Sequence, residues 1–379
     1  MSRQRDDPRQ RSLFAKPAEV PAGDQPAASA ARSVNRPGPD HAGQRRLVRP
    51  APPLPEHVAL AGRLNPLVYL GTSSWSFPGW AGIVYDREAT EQTLARQGLT
   101  AYSAHPLFRT VGIDRTFYAP ISREQFARYA ADVPEHFRFL CKAYDGLTSP
   151  TVYSRGGARG GGRMAREMSP HFLDASYAAE QVVAPMVEGL GPKAGPLVFQ
   201  FTPMSKRALG DPRRFIDRLA AFLTALPRGP LYAVELRNAE LLDEDFTESR
   251  DPADADRRHQ GIRLCDEYRA ALAAGGAVHC YNVHPSMPSP REQAAAVPLS
   301  GPLVVRWMLN HKWNYDATRT AYAPFDRLVD EDAVSRAEIA ELCGQAVLDG
   351  RHAFMVINNK AEGCAPRSVF ELAERIVNP

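Results

Sequence analysis

Glu235 and Arg237 lie two residues apart where the apolar run 231–236 ends. Side chains alternate along a strand, so an acid and a guanidinium at i and i+2 share one face. Charge at the end of a buried strand is costly unless it is paired or bound. In this arrangement Glu235 can act as a general base while Arg237 and Lys142 hold an anionic group. The competing account is an ion-pair network that only fills space. The ends of other apolar runs carry Trp75, Asp114 with Thr116 and Tyr118, Lys142, Gln200, His279 with Asn282, Arg306, and Asn358 with Asn359. Glu235, Lys142 and Asp114 are the catalytic candidates. Trp75, Thr116, Tyr118, Gln200, Arg237, Arg306, Asn358 and Asn359 are the candidate ligand-binding residues.

These side chains converge only if the runs that carry them are parallel strands. Eight short apolar runs, at 67–72, 107–113, 137–142, 196–201, 231–236, 277–283, 303–308 and 353–358, read as buried strands. Amphipathic or Ala/Glu/Arg-rich stretches at 90–104, 123–131, 171–190, 213–226, 262–274, 291–296 and 335–348 read as the helices between them, and 367–377 closes the chain. Alternating strands and helices imply a parallel sheet. Eight units in about 310 residues match an α/β fold of the (β/α)8 TIM-barrel kind, which takes ~250 residues plus insertions. In such a barrel the C-terminal strand ends meet at one mouth. A doubly wound open sheet is the alternative, but no glycine-rich dinucleotide fingerprint follows the first strand.

Residues 1–62 contain ten prolines with much Ala, Arg and Gln and no sustained periodicity. Such a segment buries too little apolar surface to offset the entropy of ordering, so it is expected to be a disordered tail before a barrel domain at 63–379. The tail has 10 basic and 6 acidic residues; the remainder has 36 and 37. The barrel is therefore not a broadly basic nucleic-acid binder by charge. Five cysteines, Cys141, Cys265, Cys280, Cys343 and Cys364, include no C-x-x-C pair, which suits small residues in a reducing cytoplasm. No apolar run reaches the ~18 residues of a membrane span, and the start of the chain lacks a signal-peptide core. Two long loops follow strands, at 154–169 and 310–328; the second carries His311, Lys312, Trp313, Tyr315, Arg319 and Tyr322.

Several runs also form a series. Gly71-Thr72-Ser73-Ser74-Trp75-Ser76-Phe77, Ile113-Asp114-Arg115-Thr116-Phe117-Tyr118 and Phe137-Arg138-Phe139-Leu140-Cys141-Lys142 are followed by 190–201, by Ala233-Val234-Glu235-Leu236-Arg237, and by Asn358-Asn359 with Ala365-Pro366. In this order they resemble the motifs of the YecE-like family, domain of unknown function 72. The resemblance implies a TIM barrel and no established reaction. It also implies an acid where this chain has Gly112 and a Thr-His pair where it has Thr148-Ser149, and the region 243–258 is longer and more acidic than the family pattern.

The remaining motifs weigh against specific chemistries. Glu235, His279 and Asp114 are ligand types for a divalent ion, yet no H-E-x-x-H or comparable local set exists, so no metal site and no cofactor are expected. Arg155-Gly156-Gly157 and Arg159-Gly160-Gly161 resemble flexible RNA-binding segments, but two copies predict only weak, salt-sensitive contact with nucleic acid. Trp307 and Trp313 can stack a sugar or base; Trp307 alternates with Arg306 and equally suits packing on a helix. No G-x-S-x-G turn and no P-loop are present. The first expectation is an enzyme acting on a small polar or anionic metabolite, such as a sugar or sugar phosphate, at the barrel mouth. The alternatives are a nucleic-acid-binding or nuclease-like barrel and a non-catalytic barrel that binds a ligand or partner. No membrane partner is expected, and the oligomeric state is not indicated.

Overall fold

A computed structural model describes residues 47–155, 164–205, 209–242, 263–310, 312 and 315–379. Its strands are Val68–Thr72 (β1), Thr110–Ile113 (β2), Arg138–Lys142 (β3), Thr151–Arg155 (β4), Met164–Met168 (β5), Ala194–Gln200 (β6), Tyr232–Glu235 (β7), Ala277–Val283 (β8), Leu303–Trp307 (β9) and Ala353–Ile357 (β10). Eight of them, in the order β1-β2-β3-β6-β7-β8-β9-β10, pair in parallel, and β10 returns to β1 from Val68↔Ala353 to Thr72↔Ile357. The sheet is a closed barrel, and each of its strands lies on one of the eight apolar runs. β4 and β5 form a separate antiparallel hairpin within the connection from β3 to β6, with Tyr153 opposite Arg166. The Arg-Gly segment at 156–163 lies outside the described residues.

Alternation sorts every barrel strand into two faces. Leu70, Val111, Phe139, Leu197, Val234, Tyr281, Val305 and Met355 join the core between sheet and helices. Leu140, Val198, Ala233, Val278, Cys280, Val304 and Val356 form a second, smaller cluster. These are the positions of opposite parity, so they fill the barrel's interior beneath the polar residues at the strand ends. Gly71 sits where β1 crosses β2 at Thr110, and a Cβ there would overlap the Thr110 carbonyl oxygen. Tyr102 fixes the same crossing: its hydroxyl lies 2.8 Å from the Thr72 amide nitrogen and 3.2 Å from the Thr110 carbonyl oxygen.

The helices follow the amphipathic stretches, from Glu91–Ser103 and Arg123–Ala131 to Ala333–Leu348 and Ala365–Val377. The stretch 171–190 differs from the continuous helix expected: Ala175–Ala178 and Ala184–Leu190 flank a π-helical turn, Ala179–Val183. Below the barrel, Lys193 Nζ donates to the Ala130 and Val133 carbonyls at 2.9 and 2.8 Å and pairs with Glu135 at 3.0 Å. That ammonium satisfies carbonyls at the C-terminal end of Arg123–Ala131, where a cation is favoured. Part of the second long loop is also helical, over Tyr315–Tyr322; 311, 313 and 314 lie outside the described residues. Among the described residues no helix is long and apolar enough to cross a membrane.

The expected disordered tail needs correcting at its C-terminal end. Residues 1–46 lie outside the described residues, but 48–62 are packed. Val48 and Leu60 are buried, and Ala51 donates its amide to Val84 at 2.9 Å. Pro55–Arg63 is a helix with proline at its first turn, where a missing N–H costs nothing. It packs beside Ala365–Val377: the His57 ring lies 3.9 Å from that of Phe370, and Arg63 donates to Asn378 Oδ1 at 2.6 Å. Arg109 caps its last turn by donating to Ala61 O at 3.2 Å. A helix of two and a half turns with Leu60 and Leu64 as its buried pair is too short to stand out from a proline-rich background.

The two kinds of glycine should respond oppositely to alanine. Gly71→Ala is expected to lose about 2–3 kcal/mol or more, because the added methyl meets backbone that cannot yield alone. Gly344 lies in the helix Ala333–Leu348 with nothing near its missing Cβ, so Gly344→Ala should gain about 1 kcal/mol. Urea unfolding midpoints of the two variants against wild type decide both signs.

Candidate functional site

β7 runs apolar through Val234 and then delivers Glu235 and Arg237 to the interior side. Glu235 has 0% exposure. Its Oε1 accepts from Arg237 Nη2 and its Oε2 from Arg306 Nη1, the latter guanidinium crossing from β9. Arg306 Nη1 also donates to Gln200 Oε1 at 2.7 Å, and Nη2 lies 3.3 Å from Asp114 Oδ1. Register explains the assembly: Gln200 is the direct partner of Glu235, and Arg306 is flanked by Asn282 and Val356. Ile113 pairs with Cys141, so Asp114 and Lys142 leave their strands side by side. Asp114–Phe117 forms a 3-10 turn, in which i and i+3 eclipse, and Lys142 Nζ sits 3.6 Å from the Phe117 ring centroid.

Among the described residues the mouth therefore holds three cations, Lys142, Arg237 and Arg306, and two carboxylates, Glu235 and Asp114. Burial pushes the Glu235 carboxyl up, but Arg237 and Arg306, with Lys142 behind them, outweigh it and bring the group down to about 2. Burial acts oppositely on Lys142 and lowers its ammonium to about 8; Asp114 and Glu235 resist that shift, and Arg306 and Arg237 add to it. Both oxygens of Glu235 are occupied and it stays ionised at neutral pH. Those conditions suit an anchor for two guanidinium groups better than the general base suggested by its position. Three buried donors of the two guanidinium groups have no partner among the described residues: Arg237 Nε and Nη1, and Arg306 Nε. Asn282 donates to Leu236 O at 3.2 Å, while its Oδ1 is buried without a partner.

Lys142, Gln200, Glu235, Arg237, Arg306 and Asp114 thus come together. Asn358, at the end of β10, donates to Ser73 Oγ at 2.9 Å and so ties the β1 and β10 ends of the rim. The other candidates are placed differently. Thr116 Oγ1 lies 2.7 Å from Ile113 O and 2.6 Å from Lys142 O, a local bond that pins the lysine's backbone. Trp75 packs edge-on against Tyr129 of the helix Arg123–Ala131, with ring centroids 5.2 Å apart. Asn359 Oδ1 accepts from Trp80 Nε1 at 3.2 Å and from the Ala365 amide at 2.8 Å, holding the start of the last helix. Tyr118 is 42% exposed on the surface.

His279 turns away from the mouth. It lies between Tyr268 Oη at 3.0 Å and Gln293 Oε1 at 3.2 Å, and burial lowers it to about 4, so it is neutral. It cannot share a ligand set with Glu235 and Asp114. Among the described residues no group of three or more His, Cys, Asp or Glu side chains is placed to hold a metal ion. Trp307 also faces the helices, fully buried. Phe117, which lies in the motif 113–118 but is not among the candidate site residues, is the aromatic that meets Lys142; its i+3 relation to Asp114 is the signal that marks it. Behind β3 and β6 a crevice lined by Phe126, Cys141, Val182, Met186 and Leu197 reaches Lys142, and its free space matches about one water. It is too narrow to hold a substrate.

Gly112 and Ser149, where the resemblance implies an acid and a histidine, have local surroundings that account for them. A Cβ at Gly112 would come within 2.8 Å of the Ser73 carbonyl oxygen and 3.0 Å of its Cα, so backbone occupies the space an acidic side chain would need. Ser149 Oγ lies 3.2 Å from Thr202 Oγ1 and joins the segments after β3 and β6.

Residues 69–378 match the profile of the family described as Protein of unknown function DUF72. A curated relative, the UPF0759 protein YunF of Bacillus subtilis (strain 168), is 30% identical over 82 residues, 22% of this chain and 26% of that protein. The match thus spans about a quarter of the relative's length. Among solved structures, a DUF72 family protein from Enterococcus faecalis V583 aligns over 82% of this chain and 95% of its own, with 16% identity and a TM-score of 0.49. One from Thermotoga maritima MSB8 aligns over 82% and 99%, with 16% identity and a TM-score of 0.42.

The charge network sets an acid limit on stability. Glu235 falls from its ordinary 4.5 to about 2 on folding, so its contribution is complete above about pH 4.5 and is lost as pH drops towards 2. Glu235→Gln should cost about 3–5 kcal/mol at neutral pH by leaving Arg237 and Arg306 facing each other. It should also flatten the stability profile between pH 4.5 and 2. Chemical unfolding of both proteins across that range checks both effects; an equally steep fall in the variant would remove Glu235 as the cause.

Proposed function

The chain belongs to the DUF72 family, and we propose that its barrel mouth binds a small polar metabolite through an anionic group and acts on it as an enzyme. The observation that carries this reading is the set of open donors on two buried guanidinium groups. Arg237 Nε and Nη1 and Arg306 Nε are shielded from water and bonded to nothing among the described residues, an expensive state for a charged donor. A phosphate or carboxylate brings the acceptors and the negative charge that three cations against two carboxylates leave unmatched. Gln200 adds a polar contact: Arg306 occupies its oxygen, and its amide nitrogen has no partner among the described residues. Hydroxyl groups of a sugar phosphate are suitable acceptors for that amide. Glu235 serves this site by holding both guanidinium groups in place. The five buried thiols support a reducing compartment such as the cytoplasm as the place of action.

Inorganic phosphate is a sufficient probe. A ligand that binds only the native state raises stability by mass action, about 2.7 kcal/mol at 100 times its Kd, or roughly 4 °C in Tm for a domain of this size. Phosphate also stabilises proteins generally by exclusion, so the informative quantity is the difference from Arg237→Gln, which keeps the Glu235–Arg306 pair. At matched ionic strength, phosphate should raise the Tm of wild type more than that of the variant. Equal shifts in the two proteins would dismiss the anion site.

A further inference from the structure

Lys193 and Lys142 are buried to nearly the same degree and treated in opposite ways. Lys193, 7% exposed, has its Nζ bonded to the Ala130 and Val133 carbonyls and paired with Glu135. Lys142, 8% exposed, makes no hydrogen bond or salt bridge through Nζ among the described residues; a ring face is its nearest cover. The carboxylates that could pair with it are engaged elsewhere. Glu235 gives both oxygens to arginines, and Asp114 gives one to Arg306. Arg306 and Arg237 add positive charge that disfavours a third cation. The chain has only six lysines, its other basic residues being arginines. An arginine would remain charged there; a lysine can release its proton. Thr116 holds the Lys142 carbonyl, and the position at a barrel strand end faces the site where substrate would lie.

We propose that Lys142 is a carbonyl-reactive amine that forms an imine with a small aldehyde or ketone bearing an anionic group. This rests on the reading of the mouth as an anion site: Arg237 and Arg306 hold the acidic group, and the carbonyl carbon lies against Nζ. The nitrogen lone pair forms the C–N bond, and the carbonyl oxygen gains a proton to give the carbinolamine. That oxygen then departs as water, carrying both hydrogens of the neutral amine, and the C=N bond forms; no electron donor or acceptor is needed. Asp114, beside Lys142 and with one oxygen free of ion pairs among the described residues, is placed to carry the proton between nitrogen and oxygen. The amine, lowered to about 8, is about one-tenth neutral at pH 7, roughly 300-fold more than an ordinary lysine.

Reductive trapping tests this directly. Wild-type protein is treated with glyoxylate and cyanoborohydride, in parallel with acetaldehyde and cyanoborohydride, and the alkylated lysines are mapped by peptide mass spectrometry. Lys142 should be carboxymethylated at least ~10-fold faster than the exposed Lys312, with Lys193 unlabelled, and ethylation by the neutral acetaldehyde should be slower. The rate at Lys142 should rise with pH and level off above about 8, the value set by burial with Asp114 after β2, Glu235 at the end of β7, Arg237 beyond it, and Arg306 on β9 around it. Lys142→Arg should lose the label at that site; the comparison among lysines in wild type stands even if this variant does not fold. If Lys142 labels no faster than Lys312 while phosphate still separates wild type from Arg237→Gln, the imine proposal is overturned and the anion site survives. If both aldehydes label Lys142 equally and phosphate does not separate the two proteins, the anion site fails, and the anionic substrate class fails with it.

Discussion

One carboxylate holding two guanidinium groups is the constraint around which the mouth is built. Moving Glu235, Arg237 and Arg306 out of water costs several kcal/mol per ion, and only close pairing returns it. β7 and β9 are separated in the barrel by β8, so the pairing reaches across the interior from one strand to the next but one. The small side chain of Ala233 and the valines beneath leave room for that reach. Because Glu235 has two oxygens and both are taken, the network has no carboxylate left for Lys142 except the partly used Asp114. The unfilled donors and the unpaired amine both follow from that arithmetic of charges.

Much of this was legible in the sequence, for a reason that also explains the failures. Apolar runs of strand length separated by amphipathic stretches gave eight strands without ambiguity of type. Within each run the parity of positions decides which side chains meet, and Lys142, Gln200, Glu235, Arg306 and Asn358 end on the inward parity. His279 and Asn282 are three apart, so they cannot share a strand face; strict alternation already separates them, with Asn282 inward and His279 towards Tyr268 and Gln293. Trp75 and Asn359 lie past the ends of β1 and β10, where alternation no longer applies and turn geometry decides direction. The packed helix Pro55–Arg63 was hidden in a proline-rich stretch because one buried pair is too little pattern to register.

Gly112 shows why a missing family acid need not leave a vacancy. The backbone of Ser73 occupies the space beside it, and Ser73 in turn accepts from the amide of Asn358. Restoring the acid alone would meet main chain, so the composition of the mouth has to be read from what is present.

The pairing of the helix Pro55–Arg63 with Ala365–Val377 has a consequence for the order in which the protein can be made. β1 finds β10, and the first packed helix finds the last, across nearly the whole length of the barrel. A nascent chain therefore carries β1 and the first packed helix without their proper neighbours until β10 and the helix Ala365–Val377 have been made. Contacts of such separation form late and slowly, and the waiting surfaces are exposed to wrong partners. The barrel cannot close gradually from its first strands; its seam waits for β10.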